Sequence, residues 1–238
     1  LSTVDKLIFG DGEQAIVSLL KGEEIQTSPQ TYLQIDDLDS NPFPDYSDID
    51  WSEYSKNGLE PMIYITGSRG CVRNCTFCDV AALWPKFRYR KAENLVQEIK
   101  EQFYNYGITT FDFTDSLING SVSNFYEFNC LLAEEKQKDP ALKDIKYMGQ
   151  AICRPRKQMP PIHYEAMYYA GCNQITVGIE SFSKNVRYHM RKKFENEDID
   201  YHIEQCSFYD INNVWLMIVG YPTETIEDHK ENIKAQIL

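Results

Sequence analysis

An α/β fold built on a parallel sheet is what this sequence predicts, from three observations. Apolar runs of strand length alternate five times with amphipathic helical stretches from residue 61 onward. The stretches between runs are long enough for the right-handed crossovers that parallel neighbours require. Each run also delivers a polar or glycine-bearing end to one rim: Gly67-Ser68-Arg69-Gly70, Thr114-Asp115-Ser116, Cys153-Arg154-Pro155, Glu180-Ser181 and Gly220-Tyr221-Pro222-Thr223. An open doubly wound sheet and a closed or partial barrel both fit this pattern. Both place chemistry at the carboxyl ends of the strands.

In chain order, residues 1–25 read as one strand and one helix. Leu7, Ile8 and Phe9 run into Gly10-Asp11-Gly12, and Ala15, Ile16, Leu19 and Leu20 then recur at helical spacing. One strand and one helix cannot bury their own faces, so this segment is expected to be the C-terminal remnant of another domain. Residues 26–60 are rich in Asp, Ser and Pro, with Phe43, Tyr46 and Trp51 among them. They read as a linker strapped to the next domain by its aromatics. The domain at 61–238 then predicts strands at 62–66, 110–114, 145–152, 174–179 and 214–219. Helices are expected at 92–104, 125–136, 162–170 (closed by Gly171), 184–191, 198–209 and from 225 to the end. Leu95, Val96, Ile99 and Phe103 form the apolar stripe of the first of these, and Phe125, Phe128, Leu131 and Leu132 that of the second.

The 238 residues suffice for one sizeable core, or one core and a fragment. With 24 basic and 36 acidic residues the net charge is -12, which argues against a general nucleic-acid or anionic-membrane surface. The longest apolar run, 214–219, is far short of a bilayer span, and no leader-like segment opens the chain, so a cytoplasmic protein is expected. Because the chain begins with Leu1, its numbering is expected to start inside a longer protein.

Seven cysteines, an odd number in a chain this long, do not suggest a disulfide framework. Cys71, Cys75 and Cys78 fall within eight residues, while Cys130, Cys153, Cys172 and Cys206 are scattered and read as small core residues. Three thiolates this close point to a metal or cluster. Structural zinc takes four ligands, commonly as two separated pairs, and here there is one run of three. Fully ligated iron–sulfur sites use four cysteines; three would leave one iron open to a ligand.

Cys71-x3-Cys75-x2-Cys78, with Phe77 before the last cysteine, resembles the signature of the radical S-adenosylmethionine (SAM) superfamily. Gly67-Ser-Arg-Gly-Cys-Val-Arg-Asn-Cys-Thr-Phe-Cys resembles the cluster loop of its cobalamin-binding-type subgroup. So do Arg88-Tyr-Arg-Lys-Ala-Glu-Asn-Leu-Val-Gln-Glu-Ile, Phe111-Asp-Phe-Thr-Asp-Ser, Ala170-Gly-Cys-Asn-Gln-Ile-Thr-Val-Gly-Ile-Glu-Ser and Ile218-Val-Gly-Tyr-Pro-Thr-Glu-Thr, in the matching order. The resemblance implies a partial (βα)6 TIM-like barrel, of which five strands are present. It implies a [4Fe-4S] cluster on Cys71, Cys75 and Cys78, and SAM on the open iron. The activity implied is reductive cleavage of SAM to a 5′-deoxyadenosyl radical that abstracts hydrogen from an unknown substrate, with a reductant such as flavodoxin or ferredoxin.

By the same resemblance, Phe77 touches the adenine and Asp115 takes the SAM ammonium, although the better known Gly-Gly-Glu is absent there. Arg154 pairs with the SAM carboxylate, Glu180 accepts from the ribose, and Gly220 lies beside the adenine. The run Arg191-Lys192-Lys193 reads as a solvated face, with contact to SAM or an anionic substrate as the other reading. Residues 3–16 resemble the last strand and helix of a cobalamin-binding domain, so cobalamin is expected only in a full-length protein. Asp200-Tyr-His202 mimics a cobalt-ligating motif but falls inside a helical segment. Rival readings are a tRNA methylthiotransferase-type radical SAM enzyme, a non-catalytic structural metal module and an iron–sulfur electron carrier.

Overall fold

The computed structural model describes residues 3–237. Its helices are α1 (Glu13–Leu20), α2 (Ser52–Lys56), α3 (Val80–Leu83), α4 (Ala92–Tyr106), α5 (Val122–Lys138), α6 (Pro161–Ala170), α7 (Lys184–His189), α8 (Asn196–Phe208) and α9 (Ile226–Ile237). The strands are β1 (Met62–Ile65), β2 (Ser68–Arg69), β3 (Arg88–Tyr89), β4 (Thr110–Phe113), β5 (Lys146–Ala151), β6 (Cys172–Glu180) and β7 (Asn212–Met217). Strands β1, β4, β5, β6 and β7 form one parallel sheet in that spatial order, while β2 and β3 make a small antiparallel ribbon beside it.

The strand order resolves the ambiguity left by the sequence. A doubly wound sheet reverses its order at a switch point; here spatial order follows chain order without reversal. That is the winding of a barrel, and five strands leave it partial.

Strand residues of one parity face the helices. Ile63, Ile65, Phe111, Phe113, Tyr147, Ile175 and Val177 are buried against Leu95, Ile99, Phe128, Leu132, Tyr164 and Met167. Burial of side chains this size stabilises by about 1.5–3 kcal/mol each, so this layer holds the strand ends in place. Residues of the other parity are open at the sheet's margins, with Tyr64 of β1 56% and Leu216 of β7 44% exposed. His202 fits the core reading: it is buried in α8 and hydrogen-bonded to the Tyr164 hydroxyl at 2.9 Å.

One expectation for the N-terminal part changes. Residues 7–9 form no strand; an isolated parallel bridge joins Gly10 to Leu33 instead. The segment is also tied to the β2–β3 ribbon. Buried Asp11 accepts from the Ile35 N–H at 2.7 Å and pairs with Arg69 at 2.8 Å and Arg88 at 2.5 Å, both in the β2–β3 ribbon. Farther along, the rings of Tyr46 and Trp51 meet Tyr106 at the end of α4. Among the described residues no helix is long and apolar enough to cross a membrane.

Candidate active site

The chain leaves β1 into a loop that is gripped from two sides. From the β4 end, Asp115 accepts from the Gly67 N–H at 2.7 Å and from the Ser68 hydroxyl at 2.5 Å. From the opposite side, Arg69 is held by Asp11 and Glu13. Gly70 then turns with φ +88, and a Cβ there would lie 2.8 Å from the Lys86 carbonyl oxygen, so glycine is required. Cys71 follows directly.

Cys71, Cys75 and Cys78 are free and line one cavity of about 190 Å³. Ser116 after β4, Ala151 and Ile152 of the β5 end, Gly178 and Glu180 of β6 and Leu216 of β7 complete much of its wall. The cavity therefore sits at the carboxyl ends of the parallel strands, where a barrel gathers its functional residues. The loop is tied to the far wall through Thr76, whose N–H donates to the Met190 carbonyl at 3.2 Å and whose hydroxyl lies 2.7 Å from the Tyr221 hydroxyl.

Burial pushes the Cys75 thiol up, Lys192 pulls it down, and Cys71, Cys78 and Glu180 push it up again. The thiols thus sense one another and the Glu180–Lys192 pair. That pair is 3.0 Å apart with side chains 10% and 8% exposed, and Lys192 also donates to the Gly178 carbonyl at 2.8 Å. Its ammonium lies 5.5 Å from the Phe77 ring centroid and 6.0 Å from that of Phe194. Glu180 has φ +65, which costs of order 1–3 kcal/mol outside glycine. The register between β6 and β7 shifts at the same place, between Gly178 and Glu180, and this turns the carboxylate inward. Gly178 makes room for it, since a Cβ there would lie 2.4 Å from Glu180 Oε1.

The structure brings Cys71, Cys75, Cys78, Phe77 and Glu180 into the cavity and leaves three of the expected residues off its wall. Asp115 is 3% exposed with both oxygens engaged by the loop; Ser116 takes the place on the wall. Asp115 is a buried brace of the loop. Arg154 is buried behind the wall, donating to the Asn119 and Gly120 carbonyls at 2.8 and 3.1 Å, with its Nε–H unpartnered. Gly220 (φ +78) belongs to a turn closed by its N–H donating to Glu224 at 2.5 Å; Leu216 is the wall residue from that strand. Sequence reasoning missed Arg73 and Phe194 as wall residues, chose Asp115 over its neighbour Ser116, and read Lys192 first as part of a solvated face. The basic run at 191–193 carried the signal for Lys192.

A family model for the radical SAM superfamily matches residues 65–235. The chain belongs to the radical SAM superfamily. Among curated proteins it is 23% identical to an uncharacterized methyltransferase of Pyrococcus horikoshii, over 97% of this chain and 52% of that protein. It is 26% identical to the anaerobic magnesium-protoporphyrin IX monomethyl ester cyclase of Cereibacter sphaeroides, over 52% of this chain and 24% of the cyclase. To the ribosomal protein uS12 methylthiotransferase RimO of Clostridium kluyveri it is 24% identical, over 78% of this chain and 42% of RimO. The chain spans about half, or less, of the length of these relatives.

Among solved structures, the cobalamin-dependent SAM radical enzyme OxsB superposes with a TM-score of 0.74 at 17% identity, over 94% of this chain and 35% of OxsB. The radical SAM methyltransferase TsrM of Kitasatospora setae gives 0.70 at 19%, over 79% of this chain and 36% of TsrM. At such identities the likeness is one of fold, and it supports the partial barrel.

Membership makes this a radical SAM enzyme domain, whose cofactors are a [4Fe-4S] cluster and SAM. The residues present fit both. Three free thiols on one loop line a single cavity at the strand ends, where each can reach a different corner of one cluster. Among the described residues no three Cys, His, Asp or Glu side chains are gathered about a single-ion position. A zinc site needs four donors on one point, whereas a cluster takes one thiolate per iron, which suits thiols spaced along a wall.

Proposed function

We propose that the protein containing this chain cleaves SAM reductively within the cavity and uses the resulting radical on a second substrate that binds beside it. The observation that carries this is the meeting of three free thiols with the Glu180–Lys192 pair in one strand-end cavity. When bound, the cluster and SAM supply the radical chemistry: one electron splits SAM into methionine and a 5′-deoxyadenosyl radical that removes hydrogen from substrate.

The chain's own residues bind, orient and exclude water. Cys71, Cys75 and Cys78 hold the cluster, on a loop fixed by Asp115, Asp11 and the Thr76–Tyr221 contact. Glu180 is a hydrogen-bond acceptor for a ribose, and Lys192 orients it. Phe77 offers an aromatic wall for an adenine. Val80, Ile152 and Leu216 keep the cavity poor in water.

The order of sequence blocks and the fold likeness to OxsB and TsrM support a cobalamin-type subgroup, with cobalamin carried by a part of the longer protein outside these residues. On the same reading residues 1–25 end that domain and 26–60 connect it to the barrel. The electron comes from a small redox protein of the flavodoxin or ferredoxin type, and the setting is cytoplasmic. Similarity to RimO favours a methylthiotransferase as second reading. The test is anaerobic reconstitution with iron and sulfide, then SAM and dithionite. 5′-Deoxyadenosine is the expected product, and none from a fully loaded protein would sink the proposal. A second cluster beyond the one on Cys71, Cys75 and Cys78 would favour the methylthiotransferase.

A further inference from the structure

The cavity holds more positive charge than its cofactors use. Arg73, Lys192 and Lys193 line it, against Glu180 as the one carboxylate among its lining residues. Lys192 is spent on Glu180. Among the described residues neither Arg73 nor Lys193 has a carboxylate within ion-pairing distance. This surplus stands in a chain whose net charge is -12, with acidic residues outnumbering basic ones by 36 to 24.

A third cation stands behind the wall. Arg154 is buried, bonded to neutral carbonyls, and keeps an unpartnered Nε–H. Its guanidinium is held below its ordinary value first by burial and next by the positive charge of Arg73.

The cofactors do not relieve this. An oxidised [4Fe-4S] core with three thiolates carries one negative charge, and SAM carries one positive charge overall, so the two cancel. One further electron on reduction offsets one cation and leaves the others. Much of the rest of the wall (Val80, Ala151, Ile152 and Leu216) is apolar, and charges beside such a wall interact more strongly than in water.

We infer that the second substrate is an organic anion, with a carboxylate, phosphate or phosphonate on an apolar body, bound by Arg73 and Lys193. The forked guanidinium of Arg73 matches such an oxyanion in two-point contact, while Lys193, exposed, supplies a point charge. This rests on the radical SAM reading of the same cavity, and the experiment separates the two.

The cluster-loaded, SAM-bound protein is titrated anaerobically with naphthalene sulfonate and, separately, with naphthalene methanol, an uncharged probe of similar body. The sulfonate is expected to bind at least tenfold more tightly. Arg73→Gln and Lys193→Gln are each expected to weaken it roughly tenfold, the size of one charge-assisted contact, with little change for the alcohol. Arg73→Lys is expected to recover part of the loss. Iron content is measured on every variant. Because Arg73 lies within the cluster loop, Lys193→Gln decides the matter if Arg73→Gln does not load. Equal binding of the two probes, or sulfonate binding indifferent to Lys193→Gln, overturns the inference. Selective sulfonate binding in a loaded protein that yields no 5′-deoxyadenosine upholds the anion site and defeats the proposed reaction alone.

Discussion

Asp115 accepts a hydrogen bond from the Gly67 N–H at 2.7 Å, so the end of the second strand in the sheet fixes the backbone four residues before Cys71. Its other oxygen takes the Ser68 hydroxyl. The carboxylate is a brace for the cluster loop. Asp115→Ala is expected to leave the buried Gly67 N–H unpaired, at about 1–3 kcal/mol, while the Ser68 hydroxyl keeps the Leu117 carbonyl at 3.3 Å, and to lower the iron retained after reconstitution. Iron and sulfide analysis of the variant beside wild type checks this; full retention of both would remove the bracing role.

The same carboxyl gives a pH dependence. Burial pushes it up to about 6 from an ordinary 3.8, against the hydrogen bonds from Ser68 and Gly67. The folded protein then holds a proton that the unfolded chain releases, so stability falls as pH rises from about 4 to about 6, by up to about 3 kcal/mol. Chemical denaturation across that range should show the fall in wild type and a flatter profile in Asp115→Asn. Matching profiles would contradict the shift.

Gly178→Ala is expected to push Glu180 off Lys192, because the new methyl would stand 2.4 Å from Glu180 Oε1. Overpacking of this kind costs about 1–3 kcal/mol. A weaker SAM affinity by equilibrium dialysis, with iron content preserved, is the expected signature. Unchanged affinity would show that the pair has no part in SAM binding.

Asp11 links the N-terminal segment to two arginines of the β2–β3 ribbon, with its side chain 1% exposed. Asp11→Ala would leave the buried Arg88 without its carboxylate, while Arg69 keeps Glu13, at about 3–5 kcal/mol. Urea unfolding measures the loss. The Asp11 carboxyl is held below the usual carboxylate range: burial pushes it up, and the Arg88, Ile35 and Arg69 contacts outweigh that. Its contribution is therefore present above the unfolded value near 4 and is lost as pH falls through the lower folded one. Loss of stability on raising the pH of wild type through neutrality would not be explained by this residue.

Cys71→Ala, Cys75→Ala and Cys78→Ala are each expected to abolish the brown iron–sulfur absorbance while leaving the barrel folded by circular dichroism. The cysteines are partly exposed loop residues outside the core. A colourless wild-type protein loaded with zinc would defeat the cluster assignment.

The barrel was legible because its signals are local. The stripes of α4 and α5 and the alternation in β1 and β5 depend on residues near in sequence, and they place Ile99, Phe128 and Tyr147 in the core. The cysteines were legible because spacing alone constrains them. Asp115 was not, because its partners Gly67 and Ser68 lie 48 and 47 residues away, and nothing in the strand end shows which way a carboxylate turns. Residues 7–9 look like a strand by composition, yet the partner that would extend the ladder is limited to one bridge at Leu33. Lys192 was obscured because a run of three cations is usually solvated, and only the tertiary approach of Glu180 and Phe77 singles out the middle one.

The left-handed turn at Glu180 has a consequence for how this site can change. A glycine two positions earlier accommodates its carboxylate, and a lysine twelve positions later neutralises it. Replacing any one of the three leaves a clash, an unpaired charge or an empty socket. Single substitutions at Gly178, Glu180 or Lys192 should therefore be rare among functional variants, and diversity there should arrive as paired or triple changes. Arg73 and Lys193, which line the same cavity without carboxylate partners among the described residues, carry no such interlock and are where selection could retune the choice of substrate one residue at a time.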